Sequence, residues 1–193
     1  LINLGNQVVI RVGQGALDSG EQIKLIAEKI KAPVIKALLG KDVIPDDHPN
    51  NLGGIGMLGT SPSVEAMNES DTLLMIGTSF PYIEYLPKPG QARGIQIDIK
   101  SERIGLRYPI EVGLVGDSKK VLLALIPLLH EKNEGNIQSQ FLKSKQQSMK
   151  KWNDFLSMQI NLNSNTDNSQ QMMIKPQDIA SAVSLNLEDN SIV

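Results

Sequence analysis

The sequence predicts an α/β fold in which helices flank a Rossmann-like parallel sheet of about six strands. Strand-like and helix-like patterns alternate over the first 130 residues, as expected of βα units. Two of the strand-like runs, Val8–Val12 and Thr72–Ile76, end directly at a glycine. A glycine at that point permits the tight turn that leads from a strand into the next helix.

The remaining elements follow in order along the chain. Short β-branched or apolar runs predict further strands at Pro33–Ile35, Gly94–Ile99 and Val112–Val115. Residues 40–62 are rich in glycine and proline and lack periodicity, so they are predicted to be loop. Residues 78–93 carry three prolines, which excludes a regular helix there.

Helices are predicted between these strands from apolar spacing and from capping residues. Apolar side chains fall at i, i+3, i+4 and i+7 from Ile23 to Ile30. Asp18 and Glu21 stand at capping-box spacing before that helix. Ser61, followed by a proline, predicts the N-cap of a short second helix. The last helix of the sheet region should begin at Asp117 or the serine after it.

The alternation of strand-like and helix-like patterns ends after His130. We expect a dinucleotide-binding domain over residues 1–130, a helical extension with a polar linker over 131–173, and the start of a following domain over 174–193. The first and last residues both look like cut ends, so the chain is interpreted as a fragment of a longer protein that cannot catalyse a reaction alone.

Composition narrows the function classes. The formal net charge of −2 and the lack of a basic stripe make nucleic acid and anionic membranes poor partner predictions. Cysteine is absent, which removes disulfides, thiolate metal sites and a cysteine nucleophile and is compatible with the cytoplasm.

The first candidate site is the turn Gly13-Gln14-Gly15 after the first strand. The dinucleotide fingerprint G-x-G-x-x-G requires a third glycine at position 18, where this chain has Asp18. The turn is therefore explained equally well by backbone geometry and by the close approach of a ligand.

A second candidate is the glycine loop Gly53–Thr60, which leads into a capped helix start. Free N–H groups and the helix dipole favour an anion such as a diphosphate there. A plain surface loop is the alternative.

The segment Gly77–Tyr82 lies at the carboxyl end of a buried strand, where open α/β sheets bind ligands. Asp98 ends the next strand and is suited to accept hydrogen bonds from ribose hydroxyls, although capping would also explain it.

A catalytic set is not recognisable. His48 and His130, the two histidines, are both interpreted as solvated, and a metal site at Asp46, Asp47 and His48 is the less favoured alternative. We therefore predict neither catalytic residues nor metal ligands in this chain.

Six stretches, taken together and in this order, resemble the central domain of thiamine-diphosphate enzymes, a DHS-like NAD/FAD-binding fold. Among these enzymes they look most similar to the bacterial pyruvate oxidases and quinone-linked pyruvate dehydrogenases. The stretches lie at residues 44–49, 53–60, 70–82, 94–99, 104–109 and 113–117.

The resemblance implies that the domain binds FAD without the G-x-G-x-x-G fingerprint. The cofactor-binding residues carried over from the family are Gly56, Met57, Leu58 and Gly59 of the glycine loop, Gly77, Thr78, Ser79, Phe80 and Pro81 after the strand, Asp98 for a ribose or adenosine hydroxyl, and, as looser matches, Gly13, Gly15 and Asp117.

The resemblance also implies partners that lie outside this chain. The family's activating glutamate and its Gly-Asp-Gly motif for metal and diphosphate do not occur here, because Ser118 follows Gly116-Asp117. Thiamine diphosphate and Mg²⁺ are therefore expected in the intact parent and not in this fragment. That parent is expected to be a cytoplasmic homotetramer, or one that attaches to the inner face of the plasma membrane, and to decarboxylate pyruvate oxidatively.

Three alternatives remain. An acetolactate synthase has the same order of motifs, and some decarboxylases keep this domain without a flavin. An NAD-consuming deacylase of the sirtuin type has a related fold, but the lack of cysteine for its zinc ribbon counts against it.

Overall fold

A computed structural model describes residues 1–161, 174–188 and 191. The chain divides into two compact units, residues 1–149 and 150–193. The first unit contains the whole sheet. In the described part of the chain, no helix combines the length and the apolar character that crossing a membrane requires.

The sheet of the first unit has six strands, and every neighbouring pair is parallel. Their order is β3-β2-β1-β4-β5-β6, so the chain reverses its direction of winding between β1 and β4. The strands are β1 Val8–Val12, β2 Val34–Lys36, β3 Asn51–Gly54, β4 Thr72–Ile76, β5 Arg93–Asp98 and β6 Val112–Val115. The predicted fold class and strand number are confirmed.

The described residues contain five α-helices: α1 Gly20–Lys29, α2 Ser61–Glu69, α3 Ser118–Leu125, α4 Ile137–Asn161 and α5 Pro176–Asn186. They also contain 3₁₀ helices at Ile2–Leu4, Gln14–Ser19, Leu38–Val43, Ile83–Tyr85, Ser101–Arg103 and Ile126–Leu128. As the three prolines predicted, residues 78–93 contain only one short 3₁₀ helix among these.

Two apolar cores cover the two faces of the sheet. Alternate residues of a strand point to opposite faces, and in β1 the side chains of Val8, Ile10 and Val12 pack with those of α1 and α3. On the other face, Val9 packs with residues of α2 and with Phe141 of α4. Burial on both faces explains why the central strands are apolar at nearly every position.

Strand β3 is the element that the sequence did not predict. Its four residues, Asn-Leu-Gly-Gly, have low strand propensity. Pairing with β2 determines its conformation, since Val34 N donates to Asn50 O at 2.7 Å and Val34 and Asn51 are in register. The prediction of loop over residues 40–62 was therefore wrong at this position.

Two predicted helix caps were also wrong. The N-cap of α1 is Ser19 and makes no side-chain cap hydrogen bond, so Asp18 and Glu21 form no capping box. The N-cap of α2 is Thr60, one residue before Ser61, and its hydroxyl accepts a hydrogen bond from the backbone N–H of Ser63 at 3.3 Å. The predicted cap of α3 is confirmed, since Asp117 Oδ1 accepts the N–H of Lys120 at 3.0 Å.

The second unit, residues 150–193, contains the end of α4 and all of α5. Within it the rings of Trp152 and Phe155 lie 6.0 Å apart. Most of the predicted polar linker, and most of the strand expected at the end of the chain, lie outside the described residues.

Candidate functional site

The candidate site lies at the carboxyl edge of the sheet, where β1 and β4 are neighbours. This is the position at which the winding direction reverses, and open α/β sheets bind ligands there. The turns after the two strands are hydrogen bonded to each other: Gly13 N donates to Ile76 O and Gly15 N donates to Gly77 O, both at 3.0 Å.

The glycines of these two turns are required by the packing of backbone on backbone. A Cβ atom on Gly13 would lie 2.6 Å from Gly77 O, and one on Gly15 would lie 2.9 Å from Gly77 Cα. Real Cβ atoms do not approach other atoms so closely. Gly13 and Gly15 are thus explained by the turn itself, and the indications of a ligand come from other residues.

Two cavities, each of about 370 Å³, open at this edge. Leu38, Phe80 and Tyr82 line both of them, so the cavities adjoin. We call the two adjoining cavities together the edge cleft.

The two halves of the edge cleft differ in chemistry. The apolar half is bordered by the glycine loop and by aromatic rings, and its further lining includes Ile55, Met57, Leu58 and Tyr85. Met57 and Leu58 are about 90% exposed, at 91% and 89%, although both are apolar. The polar half is bordered by the turns after β1 and β4 and by the side chain of Arg103.

Thr78 has a buried hydroxyl without a partner at the polar half. The residue is 5% exposed, it lines the cavity, and its Oγ1 makes no hydrogen bond to any residue that the structure describes. Since buried hydroxyls in proteins are nearly always hydrogen bonded, this atom is available to a ligand.

Asp98, at the carboxyl end of β5, has one satisfied and one unsatisfied carboxylate oxygen. Oδ1 accepts the backbone N–H of Lys100 at 3.0 Å, whereas Oδ2 is buried and has no partner within the described ranges. The hydrogen bond to Lys100 fits the capping interpretation, and binding of a ribose hydroxyl by Asp98 stays a prediction. Its exposed fraction is 2%.

The structure brings together ten of the thirteen residues predicted to bind the cofactor. The residues that line the edge cleft are Gly13, Gly15, Gly56, Met57, Leu58, Gly77, Thr78, Ser79, Phe80 and Pro81. Gly59, Asp98 and Asp117 are not among the lining residues. A Cβ on Gly59 would lie 2.6 Å from Gly54 O, so packing explains that glycine, and Asp117 is exposed and caps α3.

Sequence reasoning missed the segment after β2 and one basic residue. Ala37, Leu38 and Leu39 line the edge cleft directly after β2 ends, and the rule about carboxyl ends of strands would have found them. Arg103 is positioned by the buried Gln96 of β5, whose amide donates to Arg103 O at 3.0 Å. The sequence carries no signal for that contact.

The interpretation of His48 as a solvated residue was wrong. Its side chain is 9% exposed, Nε2 lies 3.3 Å from Glu28 Oε1, and Nδ1 accepts the N–H of Asn50 at 3.2 Å. His130, in contrast, is exposed as expected.

The neighbouring Asp46 forms ion pairs instead of a metal site. Its carboxylate binds Lys36 at 2.5 Å and Lys41 at 2.6 Å. Burial raises the pKa of Asp46, but the hydrogen bonds and charges of the two lysines outweigh that effect, so the pKa lies below its usual value. Among the residues described, no group of three His, Asp or Glu side chains could hold a metal ion.

The family model for the central domain of thiamine pyrophosphate enzymes matches residues 1–125 of this chain. A solved X-ray structure of a Mycobacterium smegmatis protein, described as a thiamin diphosphate-dependent enzyme, is similar with a TM-score of 0.57 and 26% identity. The match covers 69% of this chain and 27% of that one.

Three curated relatives are similar in sequence. YdaP of Bacillus subtilis, whose name assigns it to the thiamine pyrophosphate-containing proteins, is 40% identical over 151 residues, or 78% of this chain and 25% of its own. The acetolactate synthase of Mycobacterium leprae is 35% identical over 72% of this chain and 23% of its own. The sulfoacetaldehyde acetyltransferase of Roseovarius nubinhibens is 37% identical, and the match covers 55% of this chain and 19% of that protein. The chain therefore spans a quarter or less of the length of these relatives.

Proposed function

Because the chain belongs to the central-domain family of thiamine pyrophosphate enzymes, we propose that it is the FAD-binding domain of a member that oxidatively decarboxylates pyruvate. The observation that carries the proposal is the edge cleft, whose lining includes Thr78. Among the described residues, Thr78 Oγ1 has no hydrogen-bond partner, and neither has Asp98 Oδ2 at the carboxyl end of β5. The proposal specifies the cofactor and the reaction, which family membership alone does not.

The residues present fit a flavin dinucleotide. FAD joins a large planar ring to an adenosine through a diphosphate, so it needs an apolar compartment continuous with a polar one. The apolar half of the edge cleft has the aromatic walls that suit a ring. The polar half has backbone turns and the cation of Arg103, which suit phosphate oxygens.

Each side chain has a distinct part in this proposal. Thr78 Oγ1 donates a hydrogen bond to the bound dinucleotide, and Asp98 Oδ2 accepts one from a hydroxyl of the adenosine half. Phe80, Tyr82 and Tyr85 exclude water from the ring compartment, which strengthens every electrostatic interaction inside it. The bound flavin supplies an acceptor for the electron pair released by pyruvate oxidation.

The chemistry on pyruvate needs residues that this chain does not supply. We place thiamine diphosphate and Mg²⁺ on the other domain types of the family, in the same chain or in another, within a homotetramer. The exposed Met57 and Leu58 beside the edge cleft support this arrangement, because apolar side chains on a loop are costly unless a cofactor or a neighbouring domain covers them.

An acetolactate synthase is the second candidate function. It is supported by relatives of that name at identities between 32% and 38%, among them that of Mycobacterium leprae, and it would use the same edge cleft for FAD. Product analysis of the intact enzyme with pyruvate separates the two. Acetate or acetyl phosphate with reduction of an electron acceptor supports the oxidase, and acetolactate without net reduction contradicts it.

The proposed cofactor site is tested by titrating the protein with FAD and following flavin fluorescence, with NAD as the control ligand. We expect saturable binding of FAD and about tenfold weaker binding by Asp98→Asn, which keeps an acceptor for Lys100 N but loses the charge. Asp71→Asn is the matched control, because Asp71 accepts the N–H of Asn6 at the opposite edge of the sheet. Equal affinity for FAD in both variants, or no binding to the wild type, would contradict the proposed site.

A further inference from the structure

Arg11 is a buried charged residue in the centre of the sheet. It occupies the fourth position of β1, in register with Ile35 of β2 and Met75 of β4, and it is 1% exposed. Val9, two residues earlier on the same strand face, belongs to the core under α2. A cation at such a position is costly unless a specific partner neutralises it.

Among the described residues, Arg11 has no such partner. Its Nη1 lies 4.0 Å from the sulfur of Met75, and Nε and Nη2 make no hydrogen bond. No carboxylate in the described ranges forms an ion pair with it. Burial lowers the pKa of the guanidinium to about 9, which leaves it charged at neutral pH.

The guanidinium is stacked on Phe80. Arg11 Cζ lies 4.3 Å from the centroid of the Phe80 ring, a distance typical of a cation–π contact. The same ring lines both halves of the edge cleft and lies edge-to-face on Tyr82 at 5.3 Å. A Cβ on Gly56 of the glycine loop would lie 3.3 Å from Phe80 Cζ. Phe80 therefore connects a buried positive charge to the wall of the edge cleft.

On the basis of the proposed FAD site, we infer that Arg11 is a positioning residue that favours the reduced flavin over the oxidised one. It holds the Phe80 ring against the ring compartment and places one uncompensated positive charge behind it. Reduction of the flavin takes up two electrons and one proton and leaves one negative charge on the ring. A nearby cation in a low-dielectric surrounding stabilises that charge and has little effect on the neutral oxidised ring.

The size of the effect follows from the distance. One ring separates the guanidinium from the edge cleft, so the two charges would be about 10 Å apart. At an effective dielectric constant of about 20, their attraction lowers the dissociation constant of reduced FAD about tenfold relative to that of oxidised FAD. For a two-electron couple, a tenfold change corresponds to about 30 mV. The unpartnered charge of Arg11 is thus interpreted as a functional feature whose cost to folding is offset when the reduced flavin is bound.

The test measures the affinity of the protein for oxidised FAD and, without oxygen, for FAD reduced with dithionite. Arg11→Met should bind oxidised FAD within about threefold of the wild type, but reduced FAD about tenfold more weakly, with the potential of the bound flavin lower by about 30 mV. Arg11→Lys keeps the charge and should restore most of the preference. Arg103→Met, which removes the half-buried cation that lines the polar half, should weaken the binding of both redox forms about equally.

Each other outcome has a distinct meaning. Equal weakening of both flavin forms by Arg11→Met, or no change in either, contradicts the inference and leaves the FAD site intact. Failure of the wild type to bind either form contradicts the proposed function and the inference with it. Arg11→Met should also unfold at a higher urea concentration than the wild type, because it removes a buried charge without an acceptor. A variant that does not fold would contradict the premise that Arg11 is unpartnered.

Discussion

Gly77, after β4, packs directly on the backbone of Gly15, after β1, so that neither residue has room for a side chain. A Cβ on Gly15 would lie 2.9 Å from Gly77 Cα, and one on Gly77 would lie 2.5 Å from Gly15 Cα. Gly77 also has a left-handed backbone, with φ of +55°. This contact fixes the two turns that border the polar half of the edge cleft.

Replacement of Gly77 by alanine should therefore destabilise the protein strongly. We expect a loss of about 3 kcal/mol or more in the free energy of unfolding, from the left-handed φ and the clash together. Gly90→Ala is the matched control, because Gly90 has a φ of +85° with no atom within 4 Å of the added Cβ, and it should cost only about 1 kcal/mol. Urea unfolding measures both values, and equal losses would contradict the close contact.

Thr78→Val should have opposite effects on stability and on binding. Among the described residues the Thr78 hydroxyl has no partner, so an isosteric methyl group should leave the free energy of unfolding unchanged or raise it by about 1 kcal/mol. Binding of FAD should weaken by about tenfold, because the bound dinucleotide loses a hydrogen bond. Thermal unfolding and flavin titration measure the two quantities.

Thr72→Val is the control for that variant. Thr72 is the first residue of β4, whereas Thr78 follows the end of that strand. Thr72 Oγ1 donates a hydrogen bond to Asp71 Oδ1 at 2.8 Å. This change should lower stability and leave the affinity for FAD unchanged. If Thr78→Val lowered stability as much as Thr72→Val and bound FAD normally, the hydroxyl would have no ligand role.

Asp46→Asn should lower stability in a pH-dependent way. The pKa of Asp46 is lower in the folded protein than in the unfolded chain. The ionised carboxylate therefore stabilises the folded state fully above the unfolded pKa of about 4. This stabilisation is lost as the pH falls through the lower pKa of the folded state. Because the carboxylate is largely exposed, the loss at neutral pH should be about 1 kcal/mol or less. Urea unfolding between about pH 7 and about pH 3 should show the difference from wild type shrinking on acidification. Asp47→Asn, at the exposed neighbouring position, is the matched variant, because Asp47 forms no ion pair with any described residue.

Gln96→Met should loosen the loop that carries Arg103. Gln96 is buried in β5, its Nε2 donates to Arg103 O at 3.0 Å, and its Oε1 accepts from Gly105 N at 2.9 Å. Loss of both hydrogen bonds should cost about 2 kcal/mol. Hydrogen exchange should show reduced protection of the Gly105 amide. Gln140→Met on the exposed side of α4 should leave that amide protected, and protection unchanged by Gln96→Met would contradict the role of Gln96.

Local patterns predicted most of the sheet. Strands β1, β4 and β6 have the predicted ends, and a glycine follows each of them. The residues of β1 and β4 are buried, whereas those of β6 are mostly exposed although its pattern is apolar. Strand β3 was missed since its conformation depends on pairing with β2 rather than on its own residues. The N-cap of α2 is Thr60 instead of the predicted Ser61, because the Thr60 hydroxyl accepts the free backbone N–H of Ser63.

The candidate site was predictable in its outline but not in its polar atoms. The rule about carboxyl ends of strands located the turn after β4 and also Asp98. Glycine content was a weaker guide, because packing explains Gly13, Gly15 and Gly59 without a ligand. Burial without a partner, as in Arg11, depends on the whole fold and cannot be recognised from sequence spacing.

A crystal structure of the protein grown with FAD is the most direct test of the proposed site. We expect one dinucleotide along the edge cleft, with its ring beside Phe80, a hydrogen bond from Thr78 Oγ1, and a hydroxyl of the adenosine half on Asp98 Oδ2. Flavin bound elsewhere, or an edge cleft that stays free of flavin at saturating FAD, would contradict the assignment.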